Sequence, residues 1–445
     1  RVCATFEDTL LAEWYSADGK LQKTKTLAYP LPIFGGFYFG EAYNFAIYGQ
    51  QNLTDDPDAV VMEAVRYDKE MNALDSVTMR GMNTYIPFDA GSCRFAEAGG
   101  RLYIYTCHEM FKSSDGNHHQ ANVTLVFDVD PMKLADSFTG VMNVGWGYVS
   151  HSFNQFIAVD GSIVYRADHG DAYPRGLYIS KTSADTPVTS VTYTVPLKFP
   201  GGVGINSTGA TLGGMALTNT NVLLAVSIDS QTADYTHFYD RTAGEQRNIL
   251  VVAANKSLDA DGNRSYRVTN YAADANIDVR TPCLTALGGD TALLLWEETD
   301  REKSVTVTRA CLLNAYGQPK TDVYTLEARL SDCAPVPAAD GSVYWYVSDE
   351  DRVYTADGYV TETDGTNLLL YKLDPAHIPD FTPLKHNRRL TKTLTAATCE
   401  ADGKGQYTCA VCGSKKTEKI PALGHDWEDW DYGSFEEHVR VCRND

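Results

Sequence analysis

An all-β fold of small repeated sheets is what this sequence predicts, and three observations predict it. Short runs rich in Val, Tyr, Phe and Leu are punctuated by Gly and Asp-Gly turns. The turns recur at Gly40, Gly99-Gly100, Asp160-Gly161, Asn219 to Asn221, Gly288 to Asp290 and Asp340-Gly341, a spacing of about 60 residues. Between them no stretch carries a convincing helical period.

After most turns comes an apolar strand: Leu102 to Tyr105, Ile163 to Tyr165, Val222 to Val226, Ala292 to Trp296 and Val343 to Tyr346. A second hairpin often follows, as in Asn122 to Asp128 and Ser304 to Arg309. One four-stranded sheet cannot cover both of its faces, whereas a ring of sheets stacked face to face can. The expected architecture is therefore a β-propeller over residues 1–379, with six blades preferred and seven as the alternative. Leu10 to Tyr15 and Lys23 to Leu27 read as outer strands without inner ones, and the last unit lacks a clear fourth strand. The two chain ends are expected to close one shared blade, which would leave no exposed edge.

The chain has 445 residues and 43% hydrophobic residues, enough for a large core. A net charge of −20 leaves no basic stripe for phosphates, which excludes nucleic acid as a partner and disfavours an anionic membrane surface. No run approaches the ~20 apolar residues of a membrane span. The chain opens at Arg1 without Met and stops at Asp445 inside a Cys-containing pattern, so it is expected to be a processed or excised piece with further domains beyond it. The Asp259 to Asn263 turn spaces its carboxylates like a calcium loop but lacks the distal bidentate Glu. An Asp-Gly turn is the better reading, so calcium is not expected.

From about residue 380 the composition changes. Residues 380–395, rich in Pro, Lys, Arg and Thr, read as a linker, and residues 396–445 as a small Cys-rich module followed by a truncated second one. So small a piece needs a staple. Cys399, Cys409, Cys412 and His425 fit a tetrahedral zinc site with Cys409-x-x-Cys412 as its knuckle. A disulfide from Cys399 to one of that pair, or free thiols, are the alternatives, and spacing does not separate them.

Ala397-Thr-Cys, Tyr407-Thr-Cys-Ala-Val-Cys-Gly413 and Ile420-Pro-Ala-Leu-Gly-His-Asp-Trp427 together resemble a short module repeated in secreted surface proteins of Gram-positive gut bacteria. Trp427-Glu-Asp-Trp430 with His438 to Asp445 resembles the start of a sister module. The resemblance covers the tail from Ala397 onward, and it implies a secreted or cell-surface location and a spacing or attachment role. The β portion is more loosely similar to propellers of the same kind of protein, a likeness that implies no particular activity.

Five of the ten histidines fall between His108 and His169. They lie in Cys107 to Gln120, in His151 to Gln155 and in Asp168 to Arg175, beside Tyr, Phe and Pro. Aligning the repeats places Cys107-His108-Glu109, Ala167-Asp168-His169 and Trp296-Glu297-Glu298 at equivalent strand ends, so their side chains are expected to converge at one mouth of the ring. The candidate binding set is His108, Glu109, His118, His119, His151, Asp168, His169, Asp171, Arg175, Arg247, Trp296 and Glu297. Arg175 and Arg247 would meet carboxylates or hydroxyls, and Trp296 would stack on a sugar ring.

Neither an Asp-box repeat nor a Gly-x-Ser-x-Gly elbow occurs. The preferred reading is recognition of a glycan or another extracellular macromolecule without catalysis. The alternatives are a carbohydrate-active enzyme, hydrolase or lyase, using paired carboxylates or histidines, and a structural subunit of a surface assembly.

Overall fold

The computed structural model describes residues 2–6, 9–16, 20–89, 91–140, 154–172, 174–202, 205, 208–229, 246–272, 274–303, 305–349, 352–355, 358–361, 367–381, 388–409, 415–425 and 442. Seven antiparallel sheets, numbered here as blades 1 to 7, succeed one another along residues 2–373, and a separate two-stranded hairpin, Arg352–Thr355 with Gly358–Thr361, is inserted within the last. They span residues 2–27, 33–80, 84–138, 156–198, 210–267, 277–326 and 336–373. In blades 2, 4, 5 and 6 four strands pair in chain order. In blade 3 the first position is split, because Thr84–Pro87 and Arg94–Ala98 both pair with Arg101–Met110. The protein is a β-propeller.

Each of the six sequence-predicted turns joins the first and second strands of a blade. Gly161 (φ 56°) and Gly341 (φ 83°) sit in left-handed backbone where a Cβ would be strained. Burial then follows the order of strands. Second strands such as Asn44–Gly49 and Asn221–Ile228 are buried at every residue, whereas the fourth strand Arg264–Arg267 is exposed throughout. First strands press on one another around the centre. A Cβ on Gly213 of blade 5 would collide with the Pro282 carbonyl of blade 6, and one on Gly36 of blade 2 would meet the Phe95 ring of blade 3.

The blades are glued in sequence by side chains facing the next sheet. Leu10, Ala46 and Tyr48 join blades 1 and 2, and Ile47, Ile104 and Phe127 join blades 2 and 3. Leu177, Ile179, Leu224 and Val252 join blades 4 and 5, and Leu223, Val251, Leu294 and Trp296 join blades 5 and 6. Leu295, Trp345 and Tyr371 join blades 6 and 7.

Two expectations need correcting. The blades number seven, the alternative to the preferred six, and the chain ends share none of them among the described residues: the strands Val2–Phe6, Thr9–Tyr15 and Leu21–Leu27 pair only with each other there. Leu10 and Ala12 are fully buried against blade 2, so this sheet has an apolar face of its own to stack and needs no partner strands from the other end. The second correction concerns the linker. Residues Arg388–Thr395 form a strand paired with Gly403–Cys409, which pairs in turn with Lys415–Ile420. Three alternating threonines, Thr391, Thr393 and Thr395, supply β preference where the charged composition suggested a spacer.

Candidate functional site

His108, Glu109, Asp168, His169, Glu297 and Glu298 all lie near the C-terminal ends of second strands, Arg101–Met110, Ile163–Asp171 and Thr291–Asp300. They therefore share one rim of the propeller, as the repeat alignment requires. They do not converge on one opening. Successive side chains of a strand point to opposite faces, and in a propeller opposite faces belong to different seams.

Asp168 faces blade 3. Its Oδ2 accepts from the Tyr105 hydroxyl at 2.7 Å and from the Asn122 amide, and Gln155 Nε2 approaches its Oδ1 at 3.4 Å. Asn122 Nδ2 also donates to the Tyr105 oxygen at 2.9 Å. Gln155 is itself anchored by Ser92, whose backbone N–H reaches Gln155 Oε1 at 2.8 Å. Burial, with the Asp168 carboxylate second, raises the Tyr105 phenol well above its ordinary value. This carboxylate is saturated by donors.

His169, the next residue, faces blade 5. Its Nε2 pairs with Thr208 Oγ1 at 2.8 Å and its ring meets Phe199 edge-on at 5.0 Å. Burial, helped by the positive charges of Arg175 and Arg247, pushes its pKa down to about 3. Arg175 closes the same end of the seam by donating to the carbonyls of Pro200 (2.7 Å), Asp171 (3.1 Å) and Ile205 (2.5 Å). Arg247 donates to Thr211 Oγ1 at 3.1 Å. His169, Asp171, Arg175 and Arg247 thus form one group. His108 belongs elsewhere: it sits on the face of its strand that carries Leu102 and Ile104 toward blade 2, with Nδ1 on Thr84 Oγ1 at 2.7 Å. Burial lowers its pKa to about 3 as well, with the Thr139 backbone opposing.

Glu109 is half-buried between Ile86 and Gln120, its strand neighbours. His118 and His119 occupy the loop after it. His118 stacks on Tyr85 with ring centroids 3.7 Å apart, and its Nδ1 lies 2.7 Å from the Met110 carbonyl. His119 Nε2 pairs with Asp115 at 2.7 Å. His151 lies outside the described residues.

Trp296 is not a ligand platform. It is 1% exposed, packed between blades 5 and 6, with Nε1 donating to Glu298 at 2.8 Å. Glu298 is further held by Arg309 (2.6 Å) and Tyr271, while Glu297, on the opposite face, is held by Arg329 and the Leu330 N–H.

Sequence reasoning missed Tyr105, Asn122, Gln155 and Ser92. The first two stand in apolar-looking strands, and only strand alternation could have flagged that they share a face with one another across a hairpin, Asn122 lying two pairs along from the Tyr105–Thr124 pair.

In the tail, Cys399 and His425 do come together, and the third partner is Cys442. Ligand atoms of these three residues all lie within 4.8 Å of one another, with both thiols buried. The Cys442 sulfur and Glu400 raise the His425 pKa. Two soft sulfurs and an imidazole are a donor set able to hold a metal ion. The Cys409 side chain and Cys412 lie outside the described residues. In the propeller, Cys93 and Cys107 are free thiols rather than a hairpin disulfide, both raised by burial.

No protein-family profile and no curated protein sequence matches the chain. Among solved structures, the chain is similar to the β-propeller domain of the Trilobed protease from Pyrococcus furiosus, at 8% identity and a TM-score of 0.39, covering 87% of this chain and 92% of that one. It is also similar to an ulvan lyase of polysaccharide lyase family PL25, at 12% identity and a TM-score of 0.45, covering 89% and 94%. The α-L-arabinanase of Cellvibrio cellulosa is similar at 10% identity and a TM-score of 0.33, covering 64% and 94%.

Proposed function

We propose that the chain is a recognition protein of the cell exterior, secreted or surface-bound, whose propeller rim binds a glycan without turning it over. One observation carries this reading: His108, Asp168, His169, Glu297 and Glu298 on the rim are buried in blade seams and held there by neighbouring groups. His108 and His169 are neutral imidazoles inside blade seams, Asp168 is saturated by amide and phenol donors, and Glu297 and Glu298 are clamped by arginines. A general acid or base must titrate near the working pH and reach the substrate; groups locked in this way rigidify a platform instead. The stacked Tyr85 and His118 rings and the polar 111–119 loop supply the flat faces and donors that sugar recognition uses.

The tail would hold this platform to further modules, as its resemblance to surface-protein repeats suggests, with zinc at Cys399, His425 and Cys442 as the staple. Zinc suits two thiolates and an imidazole, and such a site supplies folding energy to a piece with little core. Metal analysis of the purified chain should find about one zinc per chain, removable by chelator.

The test of the recognition reading is a glycan array probed with the intact chain, paired with polysaccharide digestion assays. Retention of a defined glycan set with no new reducing ends and no unsaturated uronate absorbance is expected. Release of either product would replace recognition by hydrolase or lyase chemistry. Silence on the array would remove the glycan.

A further inference from the structure

Two sulfurs of the tail touch. The Cys399 and Cys442 Sγ atoms lie 3.3 Å apart, although the residues stand 43 positions apart in the chain. A disulfide bond is about 2.05 Å long, so joining them needs a shift of about 1.3 Å shared between two side chains. Both residues are buried, while His425, the third member of the group, has a side chain one-third exposed. Solvent therefore approaches the sulfurs from the imidazole side.

The frame around Cys399 is firm. The Thr398 N–H donates to the Ala401 carbonyl at 2.9 Å, and the N–H groups of Leu423 and Gly424 return to the carbonyls of Thr398 (3.0 Å) and Cys399 (3.1 Å). Gly424 (φ 69°) makes the left-handed reversal just before His425. Asp402 ties the same turn by accepting from the Ala422 N–H at 2.8 Å and by pairing with Lys419. Cys399 and His425 are thus positioned by backbone, whichever bond the sulfurs make. Among the described tail residues the buried ones are Cys399, Cys442 and the glycines Gly403 and Gly405. With so little apolar burial, this piece depends on whatever links its thiols.

We propose that Cys399 and Cys442 form a reversible redox pair, joined through a metal ion when reduced and by a disulfide when oxidised by a peroxide. The metal half rests on the zinc reading above; the disulfide half does not. In the oxidation one thiolate sulfur attacks an oxygen of hydrogen peroxide. The O–O bond breaks, a sulfenic acid forms, and the hydroxide that leaves takes a proton to become water. The second thiolate attacks the sulfenic sulfur, the S–S bond forms as the S–O bond breaks, and this hydroxide also leaves as water. Two electrons pass from the sulfurs to the peroxide. Sulfurs bonded to each other no longer carry the thiolate charges that hold zinc, so the ion is released as the cation. In an oxidising exterior the tail then keeps a staple after losing its metal.

Peptide mapping of the full chain under non-reducing conditions tests this. Tryptic cleavage after Lys404 and Arg440 places Cys399, the Cys409 and Cys412 pair, and Cys442 on three different peptides. The chain is reduced, freed of metal by a chelator and treated with hydrogen peroxide. A peptide linking Cys399 to Cys442 is expected as the main cross-link, and dithiothreitol should remove it. Links from Cys399 to Cys409 or Cys412 instead, or irreversible oxidation of Cys399 without a link, would overturn the pair. In a second arm the reduced chain is loaded with zinc before peroxide is added. Zinc should pass to a chromophoric chelator in proportion to the linked peptide, and dithiothreitol should restore its uptake. Zinc retained under peroxide with no link formed would overturn the redox pair and leave the metal reading standing. The linked peptide in a chain that takes up no zinc would remove the metal and uphold the disulfide.

Discussion

The two faces of blade 4 are made by the same strands and have opposite chemistry. Toward blade 5, Tyr165, Ala167, Leu177 and Ile179 interlock with Leu212, Leu224, Val226 and Val252 in a broad apolar core. Toward blade 3, the alternate residues are Arg166, Asp168, Tyr178, Ser180 and Thr182, met by Tyr103, Tyr105, Asn122 and Thr124, with only a small apolar cluster around Val126, Ile157 and Val164. An apolar seam needs only shape to be stable. A polar seam must satisfy every donor and acceptor, because one left over is expensive in a low-dielectric interior. The comparison teaches that the polar seam carries more polar groups than stacking requires, so that buried atoms such as Arg166 Nε and Ser180 Oγ are left without a hydrogen-bond partner.

The largest expected effect lies on the apolar side. Leu224→Ala, at a fully buried position, should lose about 2–5 kcal/mol in urea unfolding. A loss smaller than that of any polar-seam variant would break the comparison, since it would mean the apolar face does not hold the ring.

Acid should come next. His108 and His169 have folded pKa values near 3 against an ordinary 6.5, so the unfolded chain binds more protons than the folded one below neutrality. The contribution of each is fully present above pH 6.5 and is lost as the pH falls toward 3, on the order of 3 kcal/mol per histidine by pH 4. His169→Gln should flatten about half of that slope. An unchanged slope would show that His169 is not held neutral.

On the polar side, Tyr105→Phe removes one donor from Asp168 and one acceptor from Asn122. A loss of about 1–2 kcal/mol is expected, smaller than that of Leu224→Ala, and measurement of both in one unfolding series sharpens the contrast. The smallest effect on the propeller should come from Cys442→Ser. It should abolish zinc retention by the tail while leaving the main unfolding transition within about 0.5 kcal/mol. A large shift of that transition would mean the tail braces the ring.

Much of this was legible in the residues and some was not. The turns at Gly99-Gly100, Asp160-Gly161 and Asp340-Gly341 announced themselves because tight reversals demand special backbone. The rim location of His108, Asp168 and Glu297 followed from repeat alignment. Their convergence did not follow, because Asp168 and His169 are neighbours in sequence and therefore belong to different seams. Trp296 drew attention as a flat aromatic, yet it faces blade 5 and is covered. Cys442 was read as belonging to the next module, and only folding brings it beside Cys399 and His425.

The order of hydrophobic runs and turns determined by itself that this chain makes small antiparallel sheets one after another, since strand propensity and turn chemistry act over a few residues. The number of sheets and the blade onto which each face closes were decided by tertiary stacking. Alternation assigns a side chain to one of two faces, but what waits across that face comes from residues some sixty positions away, as Asp168 meets Tyr105 across 63.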